Sequence, residues 1–330
     1  MPLTWTPQME NEFLVLLRSD PSPIQQRIEN ARGVLSSKWN APISWDAARH
    51  KYRRLKEKGL LDGGVPEVAP IPEAEPAPLY TGAWELEEGD GWAIYGDDHG
   101  AHVDFALFGR MCDEARRLGI TQLLNGGDKW HADSFSKHAK IMPPVPFSTE
   151  KKVQRRLRAV AEATFKAEYI LSGNHDKWIP KQMDGRLDPS DLEETFLGWL
   201  GANGCDVHWS VYGYCTIKIP TLGIVRVTHP RNYSRISANV AGKLAEKYGT
   251  HVLTFHEHGF GAKLVHTTKG DKWGIAVGCM ADPRGFSYAM LEDSTSPAMR
   301  QGFALLKDGV FHLFDGTGYI TSVGAAKQER

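Results

Sequence analysis

Three polar residues follow an apolar run in the middle of the chain. Asn174, His175 and Asp176 come directly after the run from Tyr169 to Leu171 and a Ser-Gly break. The run predicts a buried strand that ends at the break. An amide, an imidazole and a carboxylate at consecutive positions could bind a metal or move a proton, although a turn of Gly, Asn and Asp also forms without any function. The interpretation therefore depends on how the other predicted strands end.

Four further predicted strands end in residue types that commonly bind metals. A buried histidine or a Gly-Asp turn is usually structural when it occurs alone. Oxygen and nitrogen donors at five strand ends are different, because gathering them at one rim of a sheet costs free energy unless a metal binds there. The donors are Asp97 and His99 after strand 92–95, Asp128 after 122–124, Asn174 after 168–171, His229 after 223–228, and His256 and His258 after 251–255.

The predicted elements around these strands fall into two halves. In the first half, strands alternate with amphipathic helices, which predicts a parallel sheet, and in the second half strands follow one another closely, which predicts a more mixed sheet. Ligands of such sheets bind beyond the carboxyl ends of the strands. The further predicted elements are helices at 105–118, 153–165, 192–200 and 236–248, and strands at 207–209, 214–219, 264–266, 274–277, 303–307 and 310–314.

The order of the strand-end motifs resembles the calcineurin-like metallophosphoesterase superfamily. The motifs are Asp-x-His, Gly-Asp, Gly-Asn-His-Asp, His and His-x-His, and they extend over residues 92–258. The details are most similar to phage and prophage members that carry an N-terminal helical domain. The resemblance implies an α/β (α+β) fold, a four-layer αββα sandwich. It also implies two divalent metal ions, with manganese as the first choice and iron or zinc as the others.

The resemblance also implies a role for each matching residue. His175 would stabilise or protonate the leaving oxygen, and the alternative for it is a hydrogen bond that only supports the ligands. Asp176 would orient that imidazole and keep it protonated. For Asp98 we expect a structural role, since the middle residue of Asp-x-His points away from its neighbours. The implied metal ligands are Asp97, His99 and His258 for the first ion, Asn174, His229 and His256 for the second, and Asp128 as the bridge between them.

The chain departs from the family pattern at two places. Phe255 stands where the family often has a glycine before its last His-x-His motif. Relatives often have an acidic or amide residue three positions after the Gly-Asp aspartate, whereas this chain has His131 there. His131 or Asp133 would then support the ligands instead. Histidines without a motif, such as His102, are expected to be structural or surface residues.

Residues next to the ligands could contact a substrate. Arg231, Asn232 and Tyr233 directly follow a predicted ligand and could touch a phosphate or a base, although a purely structural loop is an equal alternative. Trp130 and Trp178 could stack on a base, or they could pack into the core, which is the more common use of tryptophan.

The N-terminal residues predict a separate helical domain. Residues 1–62 contain three short amphipathic segments, and the third begins at the N-cap Ser44 and ends at Gly59. Its basic face makes the domain similar to helix-turn-helix or Myb-like nucleic-acid-binding domains, and the alternative is an ordinary solvated face. Residues 63–79 form an acidic, proline-rich linker, and residues 80–330 the catalytic domain.

Composition limits the remaining function classes. The 330 residues carry 39 basic and 40 acidic side chains, so any nucleic-acid-binding surface is local. The four cysteines are scattered, and neither a signal peptide nor an apolar run long enough to cross a membrane is visible. We therefore expect a cytoplasmic protein that does not bind a membrane. The resemblance implies that it is bacterial or phage-encoded, and the basic N-terminal helix predicts nucleic acid as its partner. The oligomeric state is unknown from the sequence.

The predicted function is metal-dependent hydrolysis of a phosphoester. The first hypothesis is a phosphodiesterase or nuclease, in which a metal-bridging hydroxide attacks phosphorus and His175 assists the departing oxygen. The second is a phosphomonoesterase that acts on a nucleotide or a phosphoprotein. The third is a DNA-binding or scaffold protein with an inactive metal site, which the complete set of ligand residues disfavours.

Overall fold

The chain forms two compact units. A computed structural model describes residues 5–61, 82–136, 143–182, 189–201, 206–286 and 299–324. The units are Met1–Leu79 and Tyr80–Arg330, and the predicted linker 63–79 lies outside the described residues. Among the helices of the described ranges, no stretch is sufficiently long and apolar to span a bilayer.

The first unit is a bundle of three helices, α1 (Pro7–Ser19), α2 (Ile24–Lys38) and α3 (Trp45–Glu57). Ser44 caps α3, because its hydroxyl accepts a hydrogen bond from the N–H of Ala47 at 3.2 Å. The helices pack around buried apolar side chains such as Phe13, Leu35 and Leu55. This packing leaves the basic side of α3 at the surface.

The second unit contains two sheets. One has seven strands in the order β13-β12-β11-β2-β3-β4-β5, and the other has six in the order β1-β6-β7-β8-β10-β9. The strands are β1 (Glu85–Glu87), β2 (Trp92–Tyr95), β3 (Gln122–Asn125), β4 (Ala167–Ile170), β5 (Asp206–Trp209), β6 (Tyr214–Ile219), β7 (Gly223–Thr228), β8 (His251–Thr254), β9 (Phe260–Thr267), β10 (Gly270–Val277), β11 (Gly302–Lys307), β12 (Val310–Asp315) and β13 (Gly318–Gly324). The helices are α4 (Phe105–Arg117), α5 (Phe147–Glu162), α6 (Trp178–Gln182), α7 (Pro189–Leu200) and α8 (Asn239–Tyr248).

These elements form four layers. The inner faces of both sheets share one apolar core, in which Ile94 and Leu124 pack with Val225 and Leu253. Helices α4 and α5 cover the outer face of the seven-stranded sheet, and α8 packs on β8, β9 and β10 of the other sheet. The predicted αββα sandwich is therefore confirmed. Strands β2 to β5 are parallel, and the six-stranded sheet is mixed.

The structure corrects several predicted boundaries. Helix α5 begins at Phe147, directly after Pro146, rather than at residue 153. Helix α8 begins at Asn239 rather than at residue 236. Strands β1 and β13 were not predicted, since both lie at sheet edges and are largely exposed, so they lack a continuous apolar run. Edge strands are held by main-chain hydrogen bonds, which side-chain patterns do not report.

Candidate metal centre

The predicted donors lie together, but they come from two sheets. Strands β2, β3 and β4 belong to the seven-stranded sheet, whereas β7 and β8 belong to the six-stranded sheet. The expectation that one rim of a single sheet carries all five strand ends is wrong. The carboxyl ends of both parallel strand groups meet where the layers pack, and this brings the two sets of loops together.

The loops that carry the donors are strained. Five donor residues have left-handed backbone torsions, with φ values of 52° at Asp97, 49° at His99, 54° at Asp128, 79° at His256 and 48° at His258. Each such residue costs about 1–3 kcal/mol, and strain of this kind concentrates at binding and catalytic sites. The loop geometry therefore serves to direct these side chains.

The first cluster consists of Asp97, His99 and His258. The Nε2 atoms of the two imidazoles are 3.0 Å apart, and Oδ1 of Asp97 lies 3.7 Å from Nε2 of His258. The same Oδ1 atom is buried and has no hydrogen-bond partner among the described residues, while Oδ2 accepts the N–H of His256 at 2.9 Å. A buried carboxylate oxygen without a partner, beside two converging imidazole nitrogens, is what a cation would satisfy.

The second cluster consists of Asp128, His229 and His256, with Asn174 beside it. Nε2 of His229 lies 3.0 Å from Oδ1 of Asn174 and 3.3 Å from Oδ2 of Asp128. Its Nδ1 atom is 3.2 Å from the main-chain oxygen of Gly126. A hydrogen bond from Nδ1 to that carbonyl fixes the tautomer and directs Nε2 at the cluster, which is the usual arrangement of a metal-binding histidine.

The two clusters adjoin through one carboxylate. Oδ1 of Asp97 lies 3.7 Å from His258 of the first cluster and 3.8 Å from Nδ1 of His229 in the second. The bridging role expected of Asp128 stays a prediction, since its carboxylate is grouped with the second cluster and its Oδ1 accepts the N–H of His175 at 2.8 Å.

The proton balance of the centre favours cation binding. Burial lowers the pKa of His258 to about 3 and that of His256 to about 4, so both rings are neutral and can donate a lone pair. Burial also opposes protonation of His229, but the charges of Asp128 and Asp97 outweigh it and raise its pKa to about 9. His229 therefore carries a proton where the buried carboxylates favour positive charge, and a divalent cation would replace that proton. Mixed oxygen and nitrogen donors fit Mn²⁺, Fe²⁺ or Zn²⁺.

His175 is held beside the clusters by the main chain. Its Nδ1 atom lies 2.7 Å from the main-chain oxygen of His131, and a hydrogen bond there leaves Nε2 free to give or take a proton. The ring stacks on His131 with centroids 5.2 Å apart, and the Trp178 ring lies 4.0 Å away. The ring nitrogens of His99, His131 and His175 also group closely enough to hold an ion.

Asp176 does not have the role expected of it. Its carboxylate accepts hydrogen bonds from the main-chain N–H groups of Asp128 and Trp130 at 2.9 Å and of Gly173 at 2.8 Å. These bonds fix the loop that carries Asp128. The imidazole of His175 is oriented by a carbonyl rather than by Asp176, because the carboxylate is directed toward the amides of the neighbouring loop.

His131 supports the first cluster, and two residues that the sequence did not indicate support His131. The Nδ1 atom of His131 lies 3.3 Å from Nδ1 of His99, so His131 orients the ring of His99. Its main-chain N–H donates to Oε2 of Glu150 at 2.9 Å, and the ring of His102 lies 4.8 Å away. Burial raises the pKa of Glu150 to about 7. Glu150 is on α5 and His102 is in a short 3-10 turn, so neither follows a strand end as the predicted donors do.

A buried ionic cluster lies directly behind the ligand loops. Nζ of Lys129 is 3.0 Å from Oε1 of Glu168, 2.7 Å from the hydroxyl of Tyr95 and 3.6 Å from Oδ2 of Asp98. Burial opposes the charge of Lys129, but Glu168 and Tyr95 raise its pKa well above the usual value. Asp98 also accepts a hydrogen bond from Asn125 at 3.1 Å. Its structural role matches the expectation from its position in the motif.

Phe255 and Trp130 are both accommodated by packing. The ring of Phe255 lies against Gly96 and Gly126, where an added Cβ would come within 2.7 Å and 2.0 Å of ring atoms. Trp130 is only 1% exposed and packs against Phe196 in the core, so it cannot stack on a base. The bulky ring at 255 thus replaces side chains that the two glycines lack.

The three candidate substrate residues differ in position. Arg231 and Asn232 are exposed and line a cleft beside His229. Tyr233 is 53% exposed and is not among the residues that line this cleft. Trp178, against the ring of His175, is the one of the two tryptophans that remains close to the candidate centre.

Comparisons with known proteins show similarity at the level of solved structures. No protein-family model and no curated protein matches the chain. The phosphoesterase Yfce from E. coli is 14% identical, with a TM-score of 0.39 over 72% of this chain and 100% of that one. A Vps29 single mutant from Entamoeba histolytica is 11% identical, with a TM-score of 0.37 over 72% of this chain and 99% of that one. A novel archaeal phosphodiesterase is 13% identical, with a TM-score of 0.34 over 71% of this chain and 99% of that one. Such similarity does not define a reaction, so the chemistry is inferred from the side chains alone.

Proposed function

We propose that the second unit is a metal-dependent phosphodiesterase that acts on nucleic acid. The observation that carries the proposal is the convergence of two donor clusters, Asp97 with His99 and His258, and Asp128 with His229 and His256. Two divalent cations, when bound, supply charge neutralisation for phosphoryl oxygens and lower the pKa of a water nucleophile. Asn174 is neutral and limits the negative charge of the second cluster, which favours an anionic substrate.

His175 supplies the proton for the leaving oxygen in this proposal. Its Nδ1 is held by the carbonyl of His131, so Nε2 is the atom that transfers the proton. The His131 ring stacks on the imidazole, and the Trp178 ring packs against it at a tilt. A ring with restricted rotation keeps Nε2 in one direction, which is what a general acid requires.

The first unit is the proposed nucleic-acid-binding domain. Lys51 on α3 pairs with Glu10 at 2.6 Å, and that pair neutralises part of the basic face. The side chains of Arg49, Arg53 and Arg54 remain exposed on the same helix. Replacing Arg53 and Arg54 by glutamine in the full chain should weaken DNA binding and reduce its salt dependence. Unchanged binding would contradict the proposal for this domain.

The enzymatic proposal is tested with two synthetic esters. The Mn²⁺-loaded protein should hydrolyse bis(p-nitrophenyl) phosphate faster than p-nitrophenyl phosphate, and Asp128→Asn should lower kcat/KM by about 100-fold or more. Asp113→Asn, on the exposed side of α4, is the matched control and should change nothing. Hydrolysis of the monoester alone would indicate a phosphomonoesterase. Binding of DNA without any hydrolysis would indicate a scaffold.

The role of His175 has a separate test. A p-nitrophenolate leaves without a proton, whereas a nucleoside oxygen needs one. His175→Gln should therefore lower kcat on a dinucleotide by a factor of about 100 or more, and it should lower kcat on the p-nitrophenyl diester much less. If kcat falls equally on both substrates, His175 supports the metal ligands and does not supply the proton.

A further inference from the structure

A cleft adjoins the candidate metal centre at His229. Its volume is about 500 Å³, and it lies between the end of β7, the end of α8 and the loop around Gly213. His229 faces the second donor cluster through Nε2 and also lines the cleft. A ligand in the cleft would therefore be continuous with a group at the centre.

The lining of the cleft is basic. It includes four cationic side chains, Lys177, Arg226, Arg231 and Lys247. No carboxylate is present among the lining residues, all of which belong to described parts of the chain. Four cations in a cleft whose lining residues include no carboxylate attract an anion, and the low dielectric of the walls strengthens that attraction.

Arg226 is held in an unusual way. Its Cζ atom lies 3.8 Å from the ring centroid of Tyr214 and 4.5 Å from that of Tyr248. Within the described ranges, its guanidinium forms no hydrogen bond and no ion pair. Cation–π contacts with two rings restrict the motion of the group, and its N–H groups stay available for an anion. A planar guanidinium with free edges matches the paired oxygens of a phosphate.

Lys177 connects the cleft with the centre. It follows Asp176, and an added Cβ at Gly213 would lie 3.4 Å from its Nζ atom. Burial is the main cause that lowers the pKa of Lys177, the charges of Asp176 and Asp128 oppose it, and the like charge of Arg231 adds to it. The two cations are thus close enough to interact, and they extend the basic lining from Arg226 toward the loop of His175.

We infer that this cleft binds a second phosphate of the substrate, one that neighbours the scissile phosphate along a nucleic-acid strand. The inference rests on the proposed function of the centre. It means that the preferred substrate is an oligonucleotide rather than a diester with a single phosphate. Arg226 is then a residue that determines specificity.

The first experiment measures binding without hydrolysis. A fluorescein-labelled tetranucleotide is titrated with the full-length protein in EDTA, and its anisotropy is recorded at several salt concentrations. Arg226→Gln should weaken binding about tenfold and reduce the slope of log Kd against log salt by about 0.7, the value for one lost contact with a single strand. Lys247→Gln, at an exposed position of the cleft, should weaken binding in the same direction with no risk to folding.

The matched control is Arg116→Gln on α4. Arg116 is exposed and pairs with Asp113 at 2.7 Å, so its substitution changes the net charge equally. The basic face of α3 is the same in all variants, so a difference between Arg226→Gln and Arg116→Gln reports the cleft alone. Equal affinities of the two variants would overturn the inference.

The second experiment separates this inference from the proposed function. The ratio of kcat/KM for the tetranucleotide to that for bis(p-nitrophenyl) phosphate should fall about tenfold in Arg226→Gln, and it should stay constant in Arg116→Gln. If Arg226→Gln hydrolyses both substrates and the ratio stays constant, the inference about the cleft is wrong and the enzymatic proposal still holds. Failure to hydrolyse either substrate would overturn the enzymatic proposal, and the anisotropy titration would still decide whether the cleft binds the strand.

Discussion

Replacing Lys129 by methionine should destabilise the second unit severely. Lys129 is buried behind the ligand loops and forms ion pairs with Glu168 at 3.0 Å and with Asp98 at 3.6 Å. Glu168 retains Arg158 at 3.5 Å after the substitution, whereas the side-chain partners that Asp98 retains in the described parts of the chain are the neutral amides of Asn125 and Gln154. Methionine fills the space of the lysine side chain, so the loss is electrostatic rather than a matter of volume.

The magnitude follows from these distances. At an effective dielectric constant of about 20, each ion pair is worth about 5 kcal/mol of Coulomb energy. The variant avoids the cost of desolvating a buried lysine, and this saving offsets several kcal/mol of the lost Coulomb energy. A buried carboxylate without its cation remains, and measured losses for such broken pairs are about 3–5 kcal/mol. We expect Lys129→Met to lower the free energy of unfolding by that amount.

The assay is urea unfolding followed by circular dichroism. Lys218→Met is the matched control, because Lys218 pairs with Glu87 at 4.0 Å with both side chains more than 70% exposed, and its loss should cost less than about 0.5 kcal/mol. The double variant Lys129→Met, Asp98→Asn should recover part of the stability, since it removes the carboxylate that is left without a cation. A cost below about 1 kcal/mol for Lys129→Met would refute the reasoning, since it would mean that the pairs barely exceed their desolvation.

Three further predictions concern pH, packing and metal. The ordinary pKa of Glu150 is 4.5 and burial raises it to about 7, so its contribution to stability is complete below pH 4.5 and is lost as the pH rises through 7. Glutamine does not titrate, so the free energy of unfolding of Glu150→Gln, measured with urea, should rise relative to that of the wild type by about 3 kcal/mol between pH 5 and 8. Parallel pH curves for the two proteins would contradict this. Gly126→Ala should cost about 1–3 kcal/mol through the clash with Phe255, whereas Gly109→Ala, with open space around its Cβ, should raise the melting temperature; a neutral Gly126→Ala would be contrary evidence. Mn²⁺ at about 100 times its Kd should stabilise the wild type by about 2.7 kcal/mol, and a similar gain in Asp128→Asn would exclude Asp128 as a ligand.

Local pattern sufficed for most elements of the second unit. Apolar runs identified the strands at 92–95 and 214–219 at their observed bounds, and apolar spacing identified the helix at 105–118 within one residue. These elements are buried on at least one face, so their side chains report the burial directly. The polar edge strands β1 and β13 were missed for the opposite reason.

The types and order of the donor residues were also readable in the sequence, because each donor follows an apolar strand directly. The sequence did not show how these donors divide into two clusters. Whether Oδ1 of Asp97 faces His258 or His229 depends on two sheets that pack through residues more than a hundred positions apart in the chain. No local pattern encodes such a contact.

The tertiary structure alone decided the roles of the residues around the donors. Asp176 looks like a partner of His175 in the sequence, yet its carboxylate is directed to amides of the Asp128 loop. Arg226 looks like an ordinary strand residue, yet two tyrosine rings from other elements hold it in a basic cleft. Sequence neighbours are joined by the backbone, but the residue that a side chain contacts depends on where the packing of the layers places the end of that side chain. Apolar periodicity therefore determined the layers of this protein, and packing between the layers determined its chemistry.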